Sequence, residues 1–174
     1  MTDARGPRHL TIAEERPAEF GAIRAVLEAA FPTPAEADLV ERLRADGDLV
    51  LGLTGRVGSR VTAYLGFSAM RPSFAASGAI LALAPLAVAP AFQRRGIGTA
   101  LVRCGLHQLT AAGCGALFVL GDPAYYGRFG FTAAAAEGLV SPWPVPAFQG
   151  LWFHGFERPA HGRLDYAPAF DPFL

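Results

Sequence analysis

The stretch from Gln93 to Ala100 combines two glycines with two arginines, between an apolar run and a predicted apolar helix. The first N–H groups of a helix have no intrahelical partner, and the helix dipole favours anions at that end. Gly96 and Gly98 lack a Cβ, so the backbone can turn tightly there and approach phosphate oxygens closely. Arg94 and Arg95 add two positive charges of a shape that suits phosphate. The stretch therefore predicts a binding site for a diphosphate.

Two better-known phosphate motifs do not fit this stretch. A dinucleotide fingerprint needs a third glycine where Leu101 stands, and no acidic residue follows at the distance of a ribose contact. A phosphate-loop nucleotidase needs a lysine followed by serine or threonine, and the chain has no lysine. The remaining alternative is a tight strand-to-helix turn that carries two incidental arginines.

The run Ile80–Val88 before this stretch is apolar throughout and interrupted only by Pro85. Its length and flanks predict a strand buried on both faces. Because proline cannot donate to a β-ladder, Pro85 predicts a bulge or a local separation from the neighbouring strand. Backbone groups of Leu86, Ala87 and Val88 would then be free for another partner.

The elements around the diphosphate site form a crossover unit. We predict a helix over Gly96–Ala112 and a strand over Ala116–Leu120, and with Ile80–Val88 they make a right-handed parallel pair. The remaining predictions are a strand at His9–Glu14, helices at Pro17–Phe31 and between Pro34 and Gly47, strands at Asp48–Thr54 and Arg60–Ser68 joined through Gly55–Gly58, a short helical turn within Asp122–Phe131, and a strand at Gly150–Glu157.

Composition narrows the class of protein. The 174 residues suffice for one domain with a continuous core, and fifteen arginines balance fifteen acidic residues. This balance disfavours nucleic acid as a partner, and no run approaches the ~20 apolar residues of a membrane span. Cys104 and Cys114 do not make a disulfide framework, and the histidines show no metal-ligand spacing. We therefore expect a cytoplasmic protein with no membrane attachment and no metal.

Three motifs together carry a family resemblance. They are Leu86-Ala87-Val88-Ala89-Pro90, the stretch from Gln93 to Gly98, and Tyr126 placed four residues before Gly130-Phe131. In this combination the chain resembles the GNAT superfamily of acyl-CoA-dependent N-acetyltransferases. The segment Gly121–Phe131 and the tail Tyr166–Phe170 are most similar to a bacterial subgroup whose acceptors are often undefined.

The resemblance implies a fold of the α/β (α+β) class. Its sheet would be mixed and mostly antiparallel, with six to seven strands flanked by helices. A central parallel strand pair would splay apart at the cofactor site. The whole chain, residues 1–174, would form a single N-acetyltransferase domain.

The resemblance also implies acetyl-CoA as the co-substrate. The pantetheine arm would pair with the strand that ends at Val88, and the N–H of Val88 or its neighbour would polarise the thioester carbonyl. The residues that would contact the cofactor are Leu86, Ala87, Val88, Gln93, Arg94, Arg95, Gly96, Ile97, Gly98, Thr99, Asp122 and Tyr126.

Tyr126 matches the general acid of the family by its spacing to Gly130. A phenol with a pKa of about 10 is protonated at neutral pH and can donate to a thiolate whose thiol has a pKa near ~8.5. Tyr125 lies one position off and is better explained as an aromatic anchor. Asp122 stands where many members carry asparagine, but an ionised carboxylate only accepts hydrogen bonds. Asp122 is better explained as the cap of the short helix that follows.

The general base is unassigned, because Ile80–Val88 contains no ionisable group where family members often carry a glutamate. Glu28, Glu137 and His154 are candidates, although each residue type is usually a surface charge or a structural hydrogen-bonding group. Deprotonation of a less basic acceptor by solvent would also suffice. A covalent intermediate is not expected, since neither cysteine has a matching motif.

The acceptor would lie among the first two helices, their connection at Phe31–Pro34, and the aromatics Trp143, Phe148 and Trp152. These segments are largely apolar, which favours a small or uncharged amine over a polycation; aromatics in such a C-terminal segment are more often core or a homodimer interface than a pocket. The predicted function is acetyl transfer to a primary amine, from a small molecule or a peptide, by direct attack in a ternary complex. The alternatives are a non-catalytic acyl-CoA-binding module, supported by the missing base, and a transferase acting on protein N-termini, side chains or aminoacyl-tRNA.

Overall fold

A mixed β-sheet with helices before and between its strands runs through the computed structural model, which describes residues 9–142 and 147–173. The helices are α1 Phe20–Ala30, α2 Ala35–Ala45, α3 Ile97–Ala111 and α4 Pro123–Tyr126. The strands are β1 Leu10–Glu14, β2 Leu49–Val57, β3 Arg60–Ala69, β4 Arg71–Pro72, β5 Ile80–Val88, β6 Ala116–Leu120, β7 Leu139–Val140, β8 Phe148–Trp152 and β9 Gly162–Asp165. Short 3₁₀ turns cover Pro17–Glu19, Pro90–Phe92, Gly127–Phe129, Ala134–Ala136 and Pro168–Phe173.

Among the described residues the main sheet has six strands in the order β1-β2-β3-β5-β6-β8, and β4, β9 and β7 form a smaller one. The pairs β1–β2 and β6–β8 are antiparallel, whereas β5 and β6 are parallel. The predicted fold class, a mostly antiparallel mixed sheet with one central parallel pair and flanking helices, is therefore confirmed. The two parallel strands are connected through α3, and such crossovers are almost always right-handed.

Strand β5 contains the bulge that Pro85 predicted. Met70 N–H donates to the Ile80 carbonyl at 2.9 Å, and Ala89 N–H donates to the Thr62 carbonyl at 2.8 Å. From Thr62 to Met70 the chain takes eight steps, whereas from Ile80 to Ala89 it takes nine. Because regular antiparallel pairing needs equal lengths, β5 carries one extra residue between these bonds, which defines a bulge.

The chain divides into two compact units, one of residues Met1–Gly66 with Pro85–His107 and the other of Phe67–Ala84 with Gln108–Leu174. In the first unit, apolar side chains of α1, α2, β3 and β5 form one cluster. Its buried members are Ile23, Val26, Leu27, Ala37, Val40, Tyr64 and Ala87. The spacing of the α1 and α2 members puts each set on one helix face, as the apolar periodicity predicted.

An ion pair at the edge of this core joins Glu15, the residue after β1, to Arg44 of α2. Arg44 donates to both carboxylate oxygens of Glu15, at 2.6 and 2.9 Å, and its guanidinium lies 4.0 Å from the centroid of the Phe20 ring. Both side chains of the pair are largely buried, 14% and 12% exposed. Burial, with the nearby Glu15 carboxylate, raises the pKa of Tyr64, so its phenol stays protonated. A bidentate pair of this kind holds each partner in one orientation.

Gly52 leaves the room that the Glu15 carboxylate needs. A Cβ at position 52 would lie 2.6 Å from Glu15 Oε2, and Arg44 prevents the carboxylate from moving aside cheaply. We expect Gly52→Ala to lower the free energy of unfolding by about 2 kcal/mol, since breaking a buried pair leaves a charge without its partner. Urea denaturation measures this loss. Gly21→Ala, where nothing lies within 4 Å of the new Cβ, is the control and should not destabilise; equal stability of the two variants would contradict the argument.

Aromatic rings form the core of the second unit around β6 and β8. Phe118 stacks on Phe148 with ring centroids 5.3 Å apart, and Trp152 meets Phe118 edge-on at 5.9 Å. The Trp152 indole N–H donates to the Ala135 carbonyl at 3.0 Å, which satisfies its one polar group. The same strand pairing fixes β8 opposite β6 from Ala116–Trp152 to Leu120–Phe148.

Two element predictions are wrong in their bounds. The β2–β3 turn is only Gly58 and Ser59, because β2 continues through Gly55 to Val57. A Cβ at Gly55 would lie 2.9 Å from Leu101 Cδ1, so this glycine serves close packing inside the strand rather than a turn. The C-terminal strand begins at Phe148 and ends at Trp152 instead of spanning Gly150–Glu157, and Gly155, with φ of 88°, turns the chain beyond it.

None of the helices in the described parts of the chain is both long enough and apolar enough to cross a membrane.

Candidate active site

The diphosphate stretch lies in the first unit, at the start of α3. Gly96 has φ of 77°, in the left-handed region that glycine tolerates, and nothing lies within 4 Å of a Cβ placed there. The first i to i−4 bond of the helix is donated by Ala100 N–H to the Gly96 carbonyl at 3.0 Å. The amides of Ile97 and Gly98 precede that bond, so helix geometry gives them no partner of their own. Diphosphate binding at this helix start stays a prediction.

The arginines of this stretch lie on the surface beside the helix start. Arg94 also has a left-handed backbone, with φ of 57°, a strained conformation for a residue with a Cβ. Residues Gln93 to Gly96 are all exposed, and the Arg95 guanidinium lies 5.6 Å from the centroid of the Phe92 ring. Two exposed guanidinium groups and a helix N-terminus therefore share one short loop, as the charge pattern predicted.

Gln93 ties this loop to the end of β5. Its Nε2 donates to the Val88 carbonyl at 3.0 Å. The sequence predicted that the backbone groups of Leu86, Ala87 and Val88 are all free. This is wrong for the Val88 carbonyl, because the Gln93 side chain folds back onto the end of the strand. The bond also holds the loop and the strand end in one relative position.

Where the ladder is regular from Leu86 to Ala89, the N–H groups of Leu86 and Val88 face the opposite edge of β5 from β3. The Ala89 N–H donates to the Thr62 carbonyl of β3. In an antiparallel ladder only every second residue bonds the same neighbouring strand, so the amides in between point to the other edge of β5. Registered pairing with β6 covers only Ile80 to Ala82 of β5. Ala87 is buried, whereas its two neighbours are half-buried. These outward amides are the ones that the family resemblance assigned to the pantetheine arm.

Tyr126 lies in the second unit, at the end of α4. Its ring meets Tyr125 edge-on at 4.9 Å and Phe131 at 5.9 Å. Burial raises the pKa of Tyr126 to about 12, with a smaller contribution from Tyr125. Gly121, which the sequence analysis did not single out, makes room for the ring, since a Cβ there would lie 2.5 Å from Tyr126 Cε2. The phenol is therefore held by packing and remains protonated at neutral pH.

Asp122 caps α4, as the sequence predicted. Its Oδ1 accepts a hydrogen bond from Ala124 N–H at 2.9 Å, and Pro123 occupies the first helical position. One carboxylate oxygen thus has a structural partner. The side chain is exposed, and a contact between Asp122 and a cofactor stays a prediction.

The candidate bases are all on the surface. Glu28 pairs with Arg24 at 2.9 Å, and Arg24 also bonds Asp38 and Glu41. Glu137 and His154 are exposed. All three side chains are therefore in contact with solvent.

The thiols and the C-terminal aromatics have structural surroundings. Cys114 Sγ lies 3.3 Å from the Ala79 carbonyl, and burial raises its pKa to about 11, so it is a poor nucleophile at neutral pH. Phe148 is 1% exposed and belongs to the core, which excludes it from an open acceptor pocket. Trp143, predicted to contribute to acceptor specificity, lies outside the described residues.

Within residues 9–142 and 147–173 no group of histidine, cysteine and carboxylate side chains could hold a metal ion.

The strand order, the bulged strand β5 within the parallel pair, and the glycine-rich start of α3 define a mixed α/β fold of the acyltransferase type. The model of the acetyltransferase (GNAT) family matches residues 14–131, and the chain belongs to that family. N-acetyltransferase YhbS of Escherichia coli K12 is 39% identical over 139 residues, which cover 78% of this chain and 81% of the relative. The E. coli N-acetyltransferase YjhQ is 38% identical over 71% of each chain.

Two solved structures are similar over nearly the whole chain. A GNAT family acetyltransferase of Brucella melitensis, crystallised with acetyl-CoA, is 36% identical with a TM-score of 0.80, covering 95% of this chain and 100% of its own. YhbS of E. coli, crystallised with CoA, is 34% identical with a TM-score of 0.85, covering 100% of this chain and 97% of its own. The chain is therefore an acyltransferase of the N-acetyltransferase class.

Proposed function

We propose that this enzyme moves an acetyl group from acetyl-CoA to the primary amine of a small acceptor, by direct attack in a ternary complex. The observation that carries the proposal is the loop from Gln93 to Thr99, where exposed arginines and unbonded helix amides converge. The acetyl-CoA and CoA complexes of the two similar crystal structures support the choice of donor.

Each assigned residue has a separate task. The amides of Ile97 and Gly98 bind the diphosphate together with Arg94 and Arg95. Bound acetyl-CoA supplies a thioester, an acyl group that an amine can attack. The Val88 N–H donates to the oxygen on which negative charge develops, which is the usual device for acyl transfer. Leu86, Ala87, Gln93, Gly96, Thr99 and Asp122 complete the proposed cofactor contacts.

Tyr126 is the proposed general acid. A group that must give up a proton at neutral pH has to be protonated beforehand, and the raised pKa of this phenol meets that condition. The acceptor amine arrives neutral and loses its proton to solvent, since the described candidates for a base are solvent-exposed. No covalent enzyme intermediate is needed.

We also propose that residues 1–174 work as one N-acetyltransferase domain. The family match runs from residue 14 to residue 131 and so takes in chain segments of both compact units.

The proposal is tested by thiol release from acetyl-CoA in the presence of a panel of small primary amines, with mass analysis of the products. We expect at least one amine to be acetylated on nitrogen, at a rate well above hydrolysis of the thioester. Tight acetyl-CoA binding without transfer to any amine, peptide N-termini included, would favour the non-catalytic acyl-CoA-binding module instead.

A further inference from the structure

A second cationic site lies in the first unit, in a cavity of about 650 Å³ beside α1. Its floor is a row of small residues, Ala22, Ala25 and Ala29, whose spacing puts them on one face of the helix. All three are exposed, where a surface helix ordinarily carries charged side chains. The volume is within the range of ligand-binding cavities, about 300 to 1,000 Å³.

The polar wall of the cavity has an excess of positive charge. Arg16, Arg56 and Arg60 line it with one acidic residue, Glu19. Three positive charges against one negative leave an excess of two. Glu19 is 7% exposed and is bound from both sides: Arg16 N–H and Nε donate to Oε2, and Arg56 Nε donates to Oε1 at 2.5 Å.

Arg56 still has N–H donors without an acceptor after it pairs with Glu19. Its Nη2 is buried and contacts the same Glu19 oxygen, but it makes no hydrogen bond of normal geometry. A guanidinium has five N–H donors, and one carboxylate oxygen cannot accept them all. Leaving such donors unpaired costs free energy. Because Nη2 itself is buried, an oxyanion in the cavity would be bound by the rest of the Arg56 guanidinium and by exposed Arg60, both of which line the cavity.

The cavity adjoins the proposed reaction centre without overlapping the diphosphate loop. Its lining includes Ala89, the residue directly after Val88, but none of the loop residues Gln93 to Thr99. Arg60 lies 5.6 Å from the centroid of the Phe92 ring, and Arg95 of the loop approaches the same ring at the same distance. The Arg60 side of the cavity is therefore a neighbour of the cofactor loop, and an anion bound in the cavity is distinct from the diphosphate.

We infer that this cavity binds the acceptor, and that the acceptor is an amine that also carries a carboxylate, as an amino acid does. This inference rests on the proposed function, because only acetyl transfer would make the bound ligand an acceptor. Arg56, with Arg60, binds the carboxylate, and the alanine face of α1 contacts the apolar part of the molecule.

The test measures binding rather than turnover, with the enzyme saturated by CoA. The probes are the N-acetyl derivatives of glycine, alanine, phenylalanine and glutamine, each compared with its neutral carboxamide by isothermal titration calorimetry. We expect at least one carboxylate to bind at least tenfold more tightly than its carboxamide. Arg56→Met should abolish that preference, and Arg42→Met, which removes an exposed arginine of α2 outside the cavity, should retain it.

Because Arg56→Met leaves buried Glu19 with fewer partners, Arg60→Gln serves as a second variant at an exposed position. It should weaken carboxylate binding while the protein unfolds at the wild-type temperature. Equal affinity for every acid and its amide would overturn the inference. Competition between the carboxylates and CoA would also overturn it, because the anion would then belong to the cofactor site. Failure of the proposed function is distinguishable: carboxylates would still bind selectively while no amine is acetylated.

Discussion

A Gly98→Val variant is expected to fold normally and to bind acetyl-CoA about 100-fold more weakly than the wild-type enzyme. Gly98 lies in the first turn of α3, where a diphosphate must come within hydrogen-bond distance of the backbone amides. A branched side chain at this position would hold the phosphate oxygens away from them. Losing two charge-assisted hydrogen bonds at about 1.5 kcal/mol each corresponds to roughly that factor in affinity.

The measurement is the dissociation constant of acetyl-CoA by calorimetry, together with the rise in unfolding temperature that the ligand causes. Gly21→Val is the matched control, because it places the same side chain on an exposed helix with nothing within 4 Å of the new Cβ. That variant should bind acetyl-CoA with the wild-type affinity. Normal affinity in Gly98→Val would show that the diphosphate binds elsewhere.

The elements nearest the cofactor loop were predicted most closely, for a physical reason. β5 and β6 have the predicted bounds, and α3 is one residue shorter at each end. All three are mostly apolar and have a glycine or a proline within two residues of each end, so their extent follows from the sequence pattern. The bulge followed from Pro85 in the same way, since a missing N–H donor has only a few solutions in a ladder.

The C-terminal third was predicted less well, because tertiary pairing decides it. β8 takes its register from β6, from Leu120 opposite Phe148, and no local pattern in its own sequence marks that start. The strands β4, β7 and β9 have two to four residues each, too few for any period to be recognised. Gly55 was assigned to a turn by its residue type, whereas its packing against Leu101 can be known only from the fold.

The two candidate site features that escaped sequence reasoning both depend on where side chains pack in the folded chain. Arg56 and Glu19 are 37 positions apart, and neither belongs to a motif. The role of Gly121 can be recognised only once the position of the Tyr126 ring is known. Sequence motifs identify a backbone-defined site such as the diphosphate loop, whereas a site made of side chains from separate elements requires coordinates.

Replacing Tyr126 by phenylalanine is expected to lower kcat by about 100-fold while leaving the affinity for acetyl-CoA nearly unchanged. General acid catalysis typically contributes a factor of about 100 to 10,000, and this substitution removes the donor but keeps the ring. The ring contacts with Tyr125 and Phe131, and its fit beside Gly121, would be preserved. A structural role alone would therefore leave kcat close to the wild-type value.

Tyr125→Phe is the matched control for this experiment. The Tyr125 ring contacts Phe129 at 5.5 Å and lies under the Arg128 guanidinium at 4.4 Å, and phenylalanine keeps both contacts. We expect its kcat to stay within about twofold of wild type. If both variants lose activity equally, or neither does, the assignment of the acid to Tyr126 is wrong.

The pH profile gives an independent check on the same residue. Burial raises the pKa of Tyr126 to about 12, so the phenol remains able to donate until the pH approaches that value. The kcat of the wild-type enzyme should therefore show no falling limb between about pH 7 and 10, whereas an exposed tyrosine, with a pKa of about 10, would already be half ionised at the upper end. A falling limb centred near pH 8 or 9 would mean that some group other than Tyr126 supplies the proton to the leaving thiolate.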